Sequence, residues 1–136
     1  MTNSRSSNIK FIYLYRDASN YKNWGEVIFS NPAGLQPQEI EGYFHRCFTG
    51  DDTFIASQVR LPEVFFYDCG EPTIDDHCFH EFSSIEATDL PATDKFRRSI
   101  LEFVRECANA AAPGWLGFDP QRPDRRFIAC ARAVPR

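Results

Sequence analysis

The sequence predicts an α+β fold, a two-layer sandwich in which a mainly antiparallel sheet carries two amphipathic helices on one face. Short aromatic and β-branched segments, bounded by Gly, Pro, Asn and Asp, recur along the chain as strands do. Two longer segments instead space their apolar residues at helical intervals. The length of 136 residues, with 43% apolar and 15% aromatic content, suits one domain with a core that needs no staples.

Residues 1–7 are small and polar, so a disordered tail is expected there. Lys10–Tyr15 is apolar on both faces, as a central strand would be. Residues 16–23 carry the Asp, Ser and Asn of a loop, and Trp24–Ser30 resumes as a strand, giving a wide antiparallel hairpin. Asn31-Pro-Ala-Gly34 breaks that strand. Residues 36–48 form the first helix, with Ile40, Tyr43, Phe44, Cys47 and Phe48 on its apolar stripe, Pro37 in its first turn and Thr49-Gly50 at its end.

Residues 53–59 read as a third strand, and residues 64–67 as a fourth strand or a buried loop after Pro62. Cys69-Gly-Glu-Pro72 is a turn leading to residues 77–82 and 83–86, again mainly strand. Candidate N-caps between Thr88 and Asp94 precede the longest helix, whose stripe is Phe96, Ile100, Phe103, Val104, Cys107 and Ala111. Lys95, Arg98, Glu102, Arg105 and Glu106 fall mostly on its solvent side. Pro113-Gly114 stops it, residues 114–126 form a loop, and residues 127–131 a last short strand.

A net charge of −4 disfavours nucleic acid and anionic lipid as general partners. Five cysteines without a C-x-x-C pair argue against a disulfide framework or closed zinc site and fit a reducing cytoplasm. No apolar run approaches the ~20 residues that span a bilayer, and the polar N-terminus lacks a signal-peptide core, so no membrane association is expected. Gly-rich phosphate loops, dinucleotide fingerprints and nucleophile elbows do not occur.

The densest chemistry lies in residues 73–86. Asp75, Asp76, His77, His80 and Glu81 are donor types suited to a divalent metal, with His45 the remaining histidine that could join them. On an extended strand Asp75, His77, Phe79 and Glu81 share one side while Asp76, Cys78, His80 and Phe82 share the other, so the imidazoles diverge. Only a turn would bring His77 and His80 together. The competing reading is an Asx turn at Asp75-Asp76 followed by a strand with hydrogen-bonded histidines.

A second cluster, Arg16, Asp17, Asn20, Tyr21 and Lys22 with Trp24 beyond it, could grip a phosphate or carboxylate and stack a ring on it. Equally, Asp17 and Asn20 could bond the loop backbone while Arg16 pairs with an acid. If the clusters meet, His77 or His80 could act as base and Arg16 or Lys22 could stabilise an anion. Arg122, Arg125, Arg126, Arg132 and Arg136, near Trp115 and Phe118, form a basic tilt best read as a solvated loop because Asp119 and Asp124 dilute it.

Tyr15-Arg-Asp-Ala-Ser-Asn-Tyr-Lys22, Gly25-Glu-Val-Ile-Phe-Ser30, Phe54-Ile-Ala-Ser-Gln-Val59 and Asp76-His-Cys-Phe-His-Glu-Phe82 resemble ordered blocks in a group of small uncharacterised bacterial proteins. The resemblance covers residues 10–86 and implies a bacterial, cytoplasmic domain without implying an activity. Taken together, the expectation is a non-catalytic binding or protein-interaction domain that engages a protein or small anionic ligand through Arg16, Asp17, Asn20, Tyr21, Lys22, Trp24, Asp75 and Glu81. No cofactor is implied, and exposed sheet edges permit a homodimer. The alternative is a metal-assisted hydrolase of a phosphate ester, with His77, His80 and Asp76 holding the ion.

Overall fold

The computed structural model describes residues 7–65 and 76–121. Strand β1 (Asn8–Arg16) lies between β2 (Lys22–Phe29) and β4 (His80–Thr88), and β3 (Thr53–Phe54) pairs with β4, so the four-stranded sheet has the order β2-β1-β4-β3. All pairings are antiparallel. The predicted centrality of the first strand holds: Ile9, Phe11, Tyr13 and Tyr15 alternate onto one face and are buried, and Leu14 is buried opposite them.

The hairpin is tighter than the sequence suggested, because the strands run on to Arg16 and start again at Lys22. Asp17 explains the difference. Its Oδ1 accepts the N–H groups of Ser19 at 3.0 Å and Tyr21 at 2.9 Å, while Asn20 takes a left-handed φ of 71°. Gly25 serves a close approach, since a Cβ there would sit 2.7 Å from the Tyr13 ring that crosses it.

Helix α1 (Pro37–Cys47) starts with proline in its first turn and buries Ile40 and Phe44, as its periodicity predicted. The expected third strand is shorter. Only Thr53–Phe54 pairs, and Ala56–Val59 coils into a 3-10 turn that ends at Arg60 in a left-handed conformation, φ 57°. Val64 and Phe65 are irregular rather than strand. Helix α2 (Ile100–Ala111) also starts later than predicted, with Ser99 as its N-cap. Ser99 Oγ accepts the Glu102 N–H at 3.1 Å and Glu102 accepts the Ser99 N–H at 2.9 Å, the reciprocal pair of a capping box.

Arg98 accounts for both corrections. Placed by the sequence on a helix surface, it is only 5% exposed, and its five N–H donors are all engaged. Nε and Nη2 bind Asp94 at 3.0 and 2.8 Å, Nη1 binds the Val59 carbonyl at 2.6 Å and Glu106 at 2.9 Å, and Nη2 also reaches the Arg60 carbonyl at 3.0 Å. Carbonyls that a third strand would offer to a neighbour are thus taken by a guanidinium. Burial pushes the Asp94 carboxyl up, but Arg98 outweighs it and holds the group below its ordinary value.

The core is aromatic. Phe11 meets the rings of Phe44 of α1 at 5.0 Å, Phe103 of α2 at 5.2 Å, Phe82 of β4 at 5.3 Å and Phe54 of β3 at 5.9 Å. Phe29 of β2 stacks on Phe103 at 4.4 Å. Trp115 closes the end of α1, its Nε1 donating to the Cys47 carbonyl at 3.1 Å. Among the described residues, no helix is long and apolar enough to cross a membrane. The expected features at residues 1–6, 66–75 and 122–136, including Asp75, the strand at 127–131 and Arg122, Arg125, Arg126, Arg132 and Arg136, lie outside the described residues.

Replacing Arg98 by Ala would strand Asp94 and part of Glu106 without a counter-charge in a buried site, so Arg98→Ala should cost about 3–5 kcal/mol of stability in urea denaturation. Lys95→Ala, on the same segment but exposed, should stay within about 0.5 kcal/mol.

Candidate functional site

The two clusters singled out in the sequence do meet. Arg16, Asp17, His77, Phe79, His80 and Glu81, with Asp51 and Thr53, line one cleft of about 470 Å³ at the end of the sheet. Thr53 pairs with Glu81 and Phe54 with His80, so alternation puts Thr53 and Glu81 on the face opposite the aromatic core. Arg16 lies on that face too. Its Nε and Nη2 bind the two Glu81 oxygens at 3.0 and 3.1 Å, and Nη1 binds Asn20 Oδ1 at 2.7 Å. Hydrogen bonding to Glu81 raises the Arg16 guanidinium further above its ordinary value, so it stays charged.

Because β4 begins at His80, the strand predicted for residues 77–82 does not place the two imidazoles on opposite sides. Both rings pack on Tyr15, with centroid separations of 5.0 Å for His77 and 5.8 Å for His80. His77 Nε2 donates to the Arg16 carbonyl at 2.7 Å, and its Nδ1 accepts the Phe79 N–H at 3.1 Å. His80 Nε2 accepts the Val64 N–H at 2.9 Å, which assigns the proton of the neutral ring to Nδ1. Among the described residues Nδ1 has no hydrogen-bond partner. On both rings the acceptor lone pair is therefore taken by a backbone N–H. A metal could be bound there only by breaking one of these bonds.

Asp76 is likewise engaged, accepting from Tyr15 Oη at 2.7 Å, while the same Oη accepts the His77 N–H at 3.1 Å. Burial and the Asp76 carboxylate raise the Tyr15 hydroxyl well above its ordinary value, so it remains a donor. His45 stands apart on α1, bonded through Nδ1 to Asp52 at 2.9 Å. Among the described residues no three His, Cys, Asp or Glu side chains are grouped to hold an ion. Tyr21, Lys22 and Trp24 do not line the cleft. They extend along the hairpin and β2 instead.

What the sequence did not disclose is how the cleft is held. Tyr13 Oη donates to the Pro62 carbonyl at 2.6 Å and Asn23 Nδ2 to the Val64 carbonyl at 2.9 Å, so with His80 three side chains from three strands fix residues 62–64. Sequence signals for this existed only in outline: polar tips at core positions of strands, which must find partners once buried.

Burial, and then the charge of His77, push the His80 imidazole down to about 3 from its ordinary value of 6.5. In the unfolded chain the ring protonates below that ordinary value while in the folded chain it stays neutral, so its contribution is complete above pH 6.5 and is lost as pH falls toward 3. Chemical denaturation between pH 6.5 and 5, where most carboxylates stay ionised, should show stability falling by about 1 kcal/mol per pH unit, steepening as the pH drops. His80→Gln, which can still accept the Val64 N–H, should flatten that slope. Comparison of the chain with protein-family models, with curated proteins and with solved structures finds no match, so the functional reading rests on the geometry of this cleft.

Proposed function

We propose that this chain is a non-catalytic binding domain that docks a protein partner through the sheet face bearing Arg16 and Glu81, and that the cleft receives a basic side chain of that partner. We infer with it a two-layer arrangement, both helices on the Phe11 side, which leaves this face for a partner. The observation that carries the reading is the engagement of both imidazole lone pairs by the Val64 and Phe79 N–H groups. Groups that would do chemistry are tied to the fold.

Charge supports the choice of partner. Among the described residues, Asp17, Asp51 and Glu81 line the cleft with the guanidinium of Arg16, which Glu81 already neutralises. Further along the face Lys10 sits 4.0 Å from both Glu26 and Glu86. Among the described residues carboxylates outnumber cations at each place, which favours a basic peptide over a small anion. A metal-assisted hydrolase of a phosphate ester would need His77, His80 or Asp76 to exchange a backbone or tyrosine hydrogen bond for the ion.

The test is titration of the full chain with an extended lysine-rich peptide and with its glutamate counterpart, read by amide shifts. Only the lysine peptide should move the resonances around Asp17, Asp51 and Glu81, and added salt should weaken it. Asp51→Asn should weaken binding about two- to fivefold. Metal-dependent cleavage of p-nitrophenyl phosphate that disappears in His77→Ala would overturn the proposal, as would preference for the glutamate peptide.

A further inference from the structure

We propose that two copies of this chain join edge to edge through β2, with the two-fold axis at Trp24, to make one continuous sheet. The outer edge of β2 is only half covered. Ile28 gives its N–H to Thr93 Oγ1 at 2.8 Å, and its carbonyl accepts the N–H groups of Thr93 at 2.8 Å and Asp94 at 3.2 Å, so the backbone groups of Ile28 point away from β1. In an antiparallel ladder alternate residues point the same way. Lys22, Trp24 and Glu26 therefore also present N–H and C=O outward, and among the described residues nothing pairs with them. Such an edge is a template for another strand.

The side chains of this edge are self-complementary. A second β2 laid antiparallel about Trp24 sets Trp24 against its own copy and Lys22 against Glu26, twice over, in about six main-chain hydrogen bonds. Trp24, 55% exposed in one copy, gains an aromatic neighbour. The same register sets Tyr21, 68% exposed, opposite Val27 of the other copy. Val27 lies in a pocket of about 260 Å³ with Leu61, Pro62 and Phe96. One residue further on, where the partner's hairpin turns back, Thr93 takes over the edge.

The other open edge is less suited to this. Residue pairing jumps from Ile12–Ser84 to Tyr13–Phe82, so Ser83 is an extra residue that bends β4 beside its outer edge. Bulges of this kind protect edges from pairing.

Sedimentation of the full chain over rising concentration should show a monomer–dimer equilibrium. Lys22→Glu, which sets a second carboxylate against Glu26 on both sides of the axis, should weaken the dimer about tenfold or more, and adding Glu26→Lys should restore it with the charges exchanged. Restoration also shows that the substituted chains fold. A wild-type chain that stays monomeric at every concentration, a dimer indifferent to Lys22→Glu, or one broken instead by Ala87→Lys at an exposed position of β4 would overturn the proposal.

Discussion

A core that includes tyrosine and histidine alongside phenylalanine can close only if each buried oxygen and nitrogen finds a partner, and that requirement shapes this protein. Phe11 and its neighbours supply apolar area without direction. Tyr13, Tyr15 and His80 add polar tips at the same depth. Leaving one such atom unpaired costs about 1–3 kcal/mol, comparable to what burying a whole aliphatic side chain contributes. The tips therefore select particular backbone groups: Pro62 and Val64 for Tyr13 and His80, and the Asp76–His77 step for Tyr15. Irregular chain that no ladder could hold is fixed in place by these bonds. Among the described residues His80 Nδ1 is the exception that the packing tolerates.

Arg98 applies the same rule to charge. A guanidinium taken out of water is tolerable when counter-charges and carbonyls saturate it, and here Asp94, Glu106, Val59 and Arg60 do so. Arg60 completes the network by binding Glu106 through two nitrogens at 2.9 and 2.8 Å, and both arginines lie over the Phe96 ring. That ring, assigned by periodicity to a buried helical stripe, is instead partly exposed between two cations. Phe96 and Ile100 stand four apart, the spacing of a helical stripe, which is why the pattern pointed to helix. The partners that decide otherwise are about forty residues away in sequence, as the separation of 39 between Arg98 and Val59 shows.

What the sequence made legible follows from the range of the forces involved. β1, β2 and α1 were readable because alternation, proline at a first turn and apolar spacing act within a few residues. The shortened β3 and late start of α2 were not, because carbonyl capture by Arg98 is a tertiary event. At the site the residues themselves were identified: Arg16, Asp17, His77, His80 and Glu81 do share a cleft. Their roles depended on backbone donors at Phe79 and Val64, which residue types alone cannot place. The structure thus supplies the protonation pattern of each ring, and the chemical reading turns on that pattern.

The bulge at Ser83 links core to cleft. Ile85 pairs with Phe11 and so shares its face, and strict alternation from there would put Ser83 and Glu81 into the core and Phe82 and His80 outside. The extra residue resets the phase, so Phe82 pairs with Tyr13 instead. Phe82 and His80 then enter the core, and Glu81 emerges beside Arg16. The apolar residues Phe82 and Ile85, spaced by three where a strand's alternation calls for two, already carry this shift in the sequence, at a pair of serines small enough to bulge. One inserted residue therefore determines both which imidazole is buried and which carboxylate faces the guanidinium, so packing and the chemistry of the cleft are set by a single choice of register.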